Sequence, residues 1–253
     1  MSRVAVVSAM REELHALLPL LRHASRTQRG GREFHLGEIG AQPVVLVLSG
    51  IGKVAAATTT TLLLDAFGVG RLIFTGVAGG LRRGVKVGDV VLAQQLLQHD
   101  MDASPLFPRF EVPLTGRSRF DVHAGLADAL AAASQRCLDA AAALIGSAHL
   151  LSFDIAAPLV HRGLIVSGDR FVASAAASDE LRRLLPQALA VEMEGAAVAQ
   201  VCADFERPFA VLRTISDRAD DSAHVDFTRF IDEVASVYTR AIVVDWLQHR
   251  GRG

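Results

Sequence analysis

RLIFTGVAGG, residues 71–80, decides how the rest of the chain is read. Arg71 to Thr75 is a short apolar, β-rich run without polar alternation, as expected of a strand covered on both faces. Gly76-Val77-Ala78-Gly79-Gly80 follows at once. A glycine-rich turn directly after a buried strand either serves only the turn or lets backbone N–H groups approach a ligand. The same grammar recurs on both sides. Upstream, Val4 to Ser8 reads as a strand and Met10 to Leu21 as a helix, with Leu14, Leu17, Leu18 and Leu21 at helical spacing. Phe34 to Ile39 and Val44 to Leu48 form an antiparallel pair split by Gly40. After the Ser49-Gly50-Ile51-Gly52 turn a helix runs from Lys53 to Phe67, although its threonines Thr58 to Thr61 are poor helix formers.

Downstream, Asp89 to Leu97 reads as a strand, and Leu126 to Leu144 as an Ala-rich helix. Gly163 to Ser167 is a strand leading to Ser167-Gly168-Asp169, the third glycine turn, and Ser178 to Leu185 a short helix. Ala190 to Met193 is a strand running into the helix Gly195 to Phe205, and Phe209 to Ile215 is the last strand. Asp226 to Gln248 closes the chain as a helix capped by Asp226. Strands alternating with helices predict an α/β domain on a largely parallel sheet, with residues 1–253 as one domain. Asp100 to Asp121, with Pro105, Pro108 and Pro113, is a long excursion of functional or interfacial character.

The 253 residues are 51% hydrophobic and 21% charged, enough to bury a large core without staples. Cys137 and Cys202 are read as buried thiols, and no closely spaced Cys/His cluster suggests zinc. The opening MSRVAVVSAMREEL does not resemble a signal peptide, so a cytoplasmic protein is expected. Its apolar runs are too short to span a bilayer, which argues against membrane insertion. A formal net charge of −1 gives no field for polyanions, so nucleic acid is not an expected partner. The basic cluster Arg22 to Arg32 reads as a solvated connection.

No turn fits the dinucleotide or P-loop phosphate fingerprint, which argues against an NAD-dependent oxidoreductase or a P-loop kinase. Carboxylates at the ends of apolar strands are more informative, because such acids must be paired or face a cleft. Glu13 lies one helical turn after the first strand, Glu192 and Glu194 alternate within Val191-Glu192-Met193-Glu194, and Asp217 ends the last strand. Singly, each is a cap or an ion-pair partner. Period 2 would send Glu192 and Glu194 to one side of an extended segment, and the set together points to proton transfer and hydroxyl recognition. His99 and Asp100 would fall on alternate faces of a strand, which disfavours a metal site there.

SAMREEL, SGIGKVAAA, TGVAGGL, KVGDVV, GLIVSGDRF, AVEMEGAAVA and RTISDRAD, in that order, resemble the signature segments of the 5′-methylthioadenosine/S-adenosylhomocysteine nucleosidases, within the nucleoside phosphorylase-like superfamily. The resemblance runs from about residue 3 to residue 245 and lapses from Asp102 to Arg162. It implies a three-layer α/β/α fold with a central mixed, twisted sheet, a homodimer, no metal or other cofactor, and hydrolysis of the N-glycosidic bond of a small-molecule adenine nucleoside. Asp217 matches the acid that protonates adenine N7, its pKa held up by a dry pocket, and Glu13 the base that activates water. Glu194 matches the residue on the ribose hydroxyls, ionised beside the growing oxocarbenium charge, with Glu192 close by.

Phe171 and the backbone of Val172 match positions that stack on adenine and pair with its edge, and Ser216 a serine beside the acid. Met10, Ile51, Met193 and Phe227 match apolar contacts to ribose and the 5′-substituent. Val77 departs from a family serine, which leaves water positioning to other groups. Two alternatives keep the fold and change the chemistry: a purine nucleoside phosphorylase, with Arg11 and Arg82 available for phosphate, and a catalytically silent nucleoside binder. Two carboxylates, Glu12 and Glu13, where a phosphate would sit argue against the first; an acid and a base together argue against the second.

Overall fold

The structure is a computed structural model that describes residues 2–219 and 227–249. The first half follows the expected order closely: β1 Arg3–Ser8, α1 Arg11–Leu17 with a 3₁₀ turn Leu18–Leu20, β2 Arg22–Arg29, β3 Arg32–Ile39, β4 Gln42–Leu48, α2 Lys53–Ala66 and β5 Val69–Thr75. In α2 the hydroxyls of Thr58, Thr59, Thr60 and Thr61 donate to the carbonyls one turn back, while Thr59, Thr60, Leu63 and Leu64 are buried. Burial thus overrides the weak propensity of these threonines. The second half comprises β6 Val77–Gly80, β7 Val90–Gln98, β8 Phe120–Asp121, α3 Ala124–Asp139, α4 Ala141–Ile145, α5 Ser147–Ser152 and β9 Val160–Ser167. It continues through α6 Ala175–Leu184, β10 Ala188–Glu192, α7 Gly195–Asp204, β11 Phe209–Asp217, α8 Phe227–Phe230, a π-helical segment Ile231–Ala235 and α9 Ser236–His249.

Among the described residues eleven strands form one sheet, in the order β2-β3-β4-β1-β5-β11-β6-β10-β9-β7-β8. It is mixed, with β1 parallel to both β4 and β5 and β11 parallel to β5 and β6, whereas β10–β6 and β11–β7 run antiparallel. Because β7 pairs with both β9 and β11, the strands β11, β6, β10, β9 and β7 close into a ring. Closure sets β6 between the carboxyl ends of β10 and β11, with Gly79 opposite Val191 on one side and Asp217 on the other. Alternation along β1 sends Val4 and Val6 into the core beneath α1, α3 and α9, and Ala5 and Val7 into the core beneath α2 and α7. Helices therefore cover both faces, as a three-layer α/β/α arrangement requires.

Three sequence readings are corrected, and a fourth falls outside the described residues. The basic run Arg22–Arg29 is a strand rather than a connection; it pairs with β3 alone and every residue in it is exposed. Exposure on both faces removes the alternation that would have revealed it, and its arginines guard a sheet edge. The glycine run after β5 is the strand β6, not an open turn. The Ala-rich helix is interrupted at Ala140 and restarts as α4, which ends at Gly146 with φ +96°. Asp226, the expected cap of the last helix, lies outside the described residues.

Candidate active site

The ends of β1, β6, β10 and β11 converge on one cavity of about 180 Å³. β1 delivers Ala9 and Met10, β6 delivers Val77, Ala78 and Gly79, and β10 runs into Glu192, Met193 and Glu194. β11 ends on Ser216 and Asp217. The chain beyond β9 contributes Arg170, Phe171 and Val172, and Ile51 and Phe227 complete the wall. The Phe171 ring meets Phe227 edge-on, centroids 6.4 Å apart. This wall is mostly apolar, with a few acids entering it, the usual make-up of a small-molecule site.

Asp217 is nearly buried, and both of its oxygens are held. The Ser216 hydroxyl donates to Oδ2 at 2.7 Å and the Ala219 N–H to Oδ1 at 2.7 Å. Gly79 stands against it: a Cβ there would lie 2.9 Å from Asp217 Oδ1. The glycine of the opening segment is thus needed for a close approach.

Glu13 is buried completely and does not line the cavity. It is the third residue of α1, from which Oε2 reaches back to accept the Met10 N–H at 3.3 Å, the return half of a capping box. Oε1 accepts the Thr239 hydroxyl from α9 at 2.8 Å. Burial raises its pKa to about 7, with Thr239 and Arg213 opposing the rise. Glu13 therefore sits directly behind Met10, one residue from the cavity wall.

Glu192 and Glu194 do not share an extended segment, because β10 ends at Glu192 and Glu194 has ψ −39° at the start of α7. Their roles diverge accordingly. Glu192 accepts from the N–H groups of Glu194 and Gly195, from the Ser167 hydroxyl, and from Arg213 Nη2 at 2.5 Å. It is an ion-pair partner and cap as well as part of the wall. Glu194 accepts the Gly52 N–H at 3.0 Å and lies 4.0 Å from Arg213. Burial and the neighbouring Glu192 charge push its pKa up to about 7, so it is not simply ionised as the resemblance implied.

Arg213 is the residue that sequence reasoning passed over. It is wholly buried, its guanidinium lies 4.0 Å from the Phe74 ring centroid, and a Cβ at Gly76 would come within 2.6 Å of its Nη1. The signal was available: an arginine inside the apolar run FAVLRTIS must be paired. Thr239 carried no such signal, because threonine in a buried helix is unremarkable in sequence. Arg11 and Arg82 do not line the cavity; Arg82 borders a separate polar cleft with Arg119 and Arg162. Among the described residues no group of three His, Cys, Asp or Glu side chains is placed to hold a metal ion, and no helix is long and apolar enough to cross a membrane.

Comparison with known proteins bears on this geometry. Residues 3–246 match the family described as the phosphorylase superfamily. The 5′-methylthioadenosine/S-adenosylhomocysteine nucleosidase of Hydrogenovibrio crunogenus is 34% identical over 249 residues, 98% of each chain. That of Bacillus thuringiensis is 35% identical over 243 residues, 95% of this chain and 96% of its own. Among solved structures, the Neisseria meningitidis nucleosidase in complex with methylthio-immucillin-A superposes with a TM-score of 0.84 at 35% identity, covering 98% of this chain and 99% of the other. The Colwellia psychrerythraea nucleosidase in complex with adenine gives 0.82 at 33% identity, covering 98% and 95%.

Proposed function

The chain belongs to the 5′-methylthioadenosine/S-adenosylhomocysteine nucleosidases of the phosphorylase superfamily and hydrolyses the N-glycosidic bond of adenine nucleosides, and we propose that Asp217, Glu13 and Glu194 divide that reaction among them. The observation that carries the proposal is the convergence of Asp217 and Glu194 on one apolar cavity, with Glu13 immediately behind its wall. Adenine, seated against Phe171 and the backbone of Val172, leaves as a neutral base when Asp217 gives a proton to N7. The Ser216 hydroxyl suits this step. It donates to the ionised carboxylate at 2.7 Å and has a second acceptor in the Ala78 carbonyl at 3.4 Å, so it can release Asp217 when the acid is protonated.

As the C–N bond breaks, positive charge grows on the ribosyl ring. Glu194 takes the ribose hydroxyls, and its ionised form stabilises that charge more in the transition state than in the ground state. Water attacks the anomeric carbon and gives its proton to Glu13, whose pKa near 7 matches a base working at neutral pH. Met10, Ile51, Met193 and Phe227 form the apolar surroundings of ribose and a 5′-thioether, and Val77 lends shape without a hydroxyl. Hydrolysis rather than phosphorolysis is favoured because neither Arg11 nor Arg82 reaches the cavity. The working form is a homodimer of a cytoplasmic enzyme.

Adenine release from methylthioadenosine and S-adenosylhomocysteine, with and without millimolar phosphate, tests the assignment. Wild type releases adenine without phosphate, and Asp217→Asn loses about 10²–10⁴-fold in kcat while binding the nucleoside almost unchanged. An Asp217→Asn variant of near wild-type rate would remove the proposed acid. Release that required phosphate would take the water-activating role from Glu13.

A further inference from the structure

Glu13 is held from two directions. Met10 N–H, from the wall of the cavity, contacts Oε2 at a long 3.3 Å, and the Thr239 hydroxyl contacts Oε1 at 2.8 Å from a helix 226 residues away in sequence. The Thr239 contact is shorter and is made between two buried side chains. We propose that Thr239 is a positioning residue for hydrolysis: its hydroxyl pins Oε1 and so leaves Oε2, the oxygen on the Met10 side, to take the proton of the attacking water. This rests on the assignment of Glu13 as the base. In the step itself a water O–H proton passes to Oε2 and the water oxygen bonds the anomeric carbon. The C–N bond breaks with its electrons going to adenine, which Asp217 protonates.

The fold supplies Thr239 by an irregular helix. Over Ile231–Ala235, just before it, the last helix widens to π geometry, and the Ser236 hydroxyl bonds the Asp232 carbonyl at 2.6 Å. One π-bulge shifts everything after it by about one residue, roughly 100° around the helix axis. Without that offset the face presented to α1 would be taken by a neighbour such as Tyr238 or Arg240, and neither offers a small hydroxyl. A π segment that ends four residues before the side chain that reaches a proposed catalytic base is consistent with π-bulges marking functional sites.

Thr239 also acts on the charge of Glu13. A hydroxyl that donates to a carboxylate favours the ionised form, and here it works against burial. The charged groups bearing on Glu13 are Arg213 from β11, which favours ionisation, and Glu12 from its own helix, which opposes it.

The test is the pH profile of kcat/KM for methylthioadenosine hydrolysis by wild type, Thr239→Val, Thr239→Ser and Glu13→Gln, each first checked for a native circular-dichroism spectrum. In Thr239→Val the acid limb moves up by about one pH unit and the rate at pH 6.5 falls about tenfold, with KM within about twofold of wild type. Thr239→Ser keeps the wild-type profile. Thr239→Ala serves if valine disturbs folding. The infrared carboxyl band lost in Glu13→Gln reports the Glu13 titration directly, and it shifts upward in the valine variant by the same amount. An unmoved acid limb together with an unmoved band overturns the inference while leaving Glu13 in place. A fully active Glu13→Gln overturns the base assignment itself.

Discussion

Two carboxylates of the site, Glu13 and Glu194, hold protons more tightly in the folded chain than free glutamates do, and stability must register that. Burial lifts Glu13 from its ordinary 4.5 to about 7. Between those pH values the folded state binds more protons than the unfolded state, so stability falls as pH rises through the window and stays lower above it. A shift of this size corresponds to about 3 kcal/mol lost by pH 8. Glu13→Gln, which has no charge to bury, should therefore be more stable than wild type at pH 8, by about 1–3 kcal/mol. At pH 4.5 the two should agree within about 0.5 kcal/mol, because folded Glu13 is then protonated and its unfolded form only half ionised. Urea unfolding at the two pH values measures the difference. An equal gain at both pH values, or none at either, would mean that burial of the Glu13 charge does not cost stability. The same variant is expected to lose activity, which is the usual exchange at a functional site.

At the level of elements, the decisive contacts are those in which a strand end is pressed against a side chain. Gly79 in β6 is the sharpest case. Its φ is not in the left-handed region, so the backbone would accept alanine, but a Cβ there would lie 2.9 Å from Asp217 Oδ1 and 2.9 Å from the Ala219 Cβ. Gly79→Ala is expected to displace Asp217, lowering kcat at least tenfold while costing about 1–3 kcal/mol of stability. Gly84→Ala, where a Cβ meets nothing within 4 Å, is the matched control and should change neither. Steady-state kinetics and thermal unfolding of the pair separate the two effects. This also marks how far the sequence could be read. RLIFTGVAGG announced a buried strand and a glycine run, yet its glycines form a strand whose small size admits Asp217, and composition alone does not distinguish that from a turn. The alternation of strands and helices was legible because the longer strands other than β2 bury at least one face, whereas β6 and the two-residue β8 were not read as strands. β2 was not, since an edge strand exposed on both sides has no period to detect. Asp217 and Glu194 were legible as acids at strand ends. Arg213, the ion-pair partner of Glu192 and 4.0 Å from Glu194, was not sought, although the same rule about buried charge applied to it.

Across the whole molecule, several large apolar side chains are left bare, one of them in the cavity wall. Ile51 is 68% exposed, Val54 78%, Leu106 83% and Leu114 90%. The first two lie at the start of α2 and the others in the excursion between β7 and β8, and the two regions are tied by the ion pair of Lys53 with Asp100 at 2.6 Å. Exposed large apolar side chains mark an interaction surface where they form a contiguous patch. Ile51 belongs to the cavity wall as well, so whatever covers it there also shields that part of the cavity from water. A second copy of the chain fits that role, since an isologous contact can bury the same apolar patch on both partners and close both cavities at once. Sedimentation equilibrium should therefore give a dimer for the wild type. Val54→Asp combined with Leu114→Asp should give a folded monomer whose KM for methylthioadenosine is raised roughly tenfold, about 1.4 kcal/mol of lost binding, with kcat changed much less. A wild-type monomer would refute the dimer. A monomeric double variant with unchanged KM would separate assembly from the site and assign closure of the cavity to this chain's own Ile51 and Phe227.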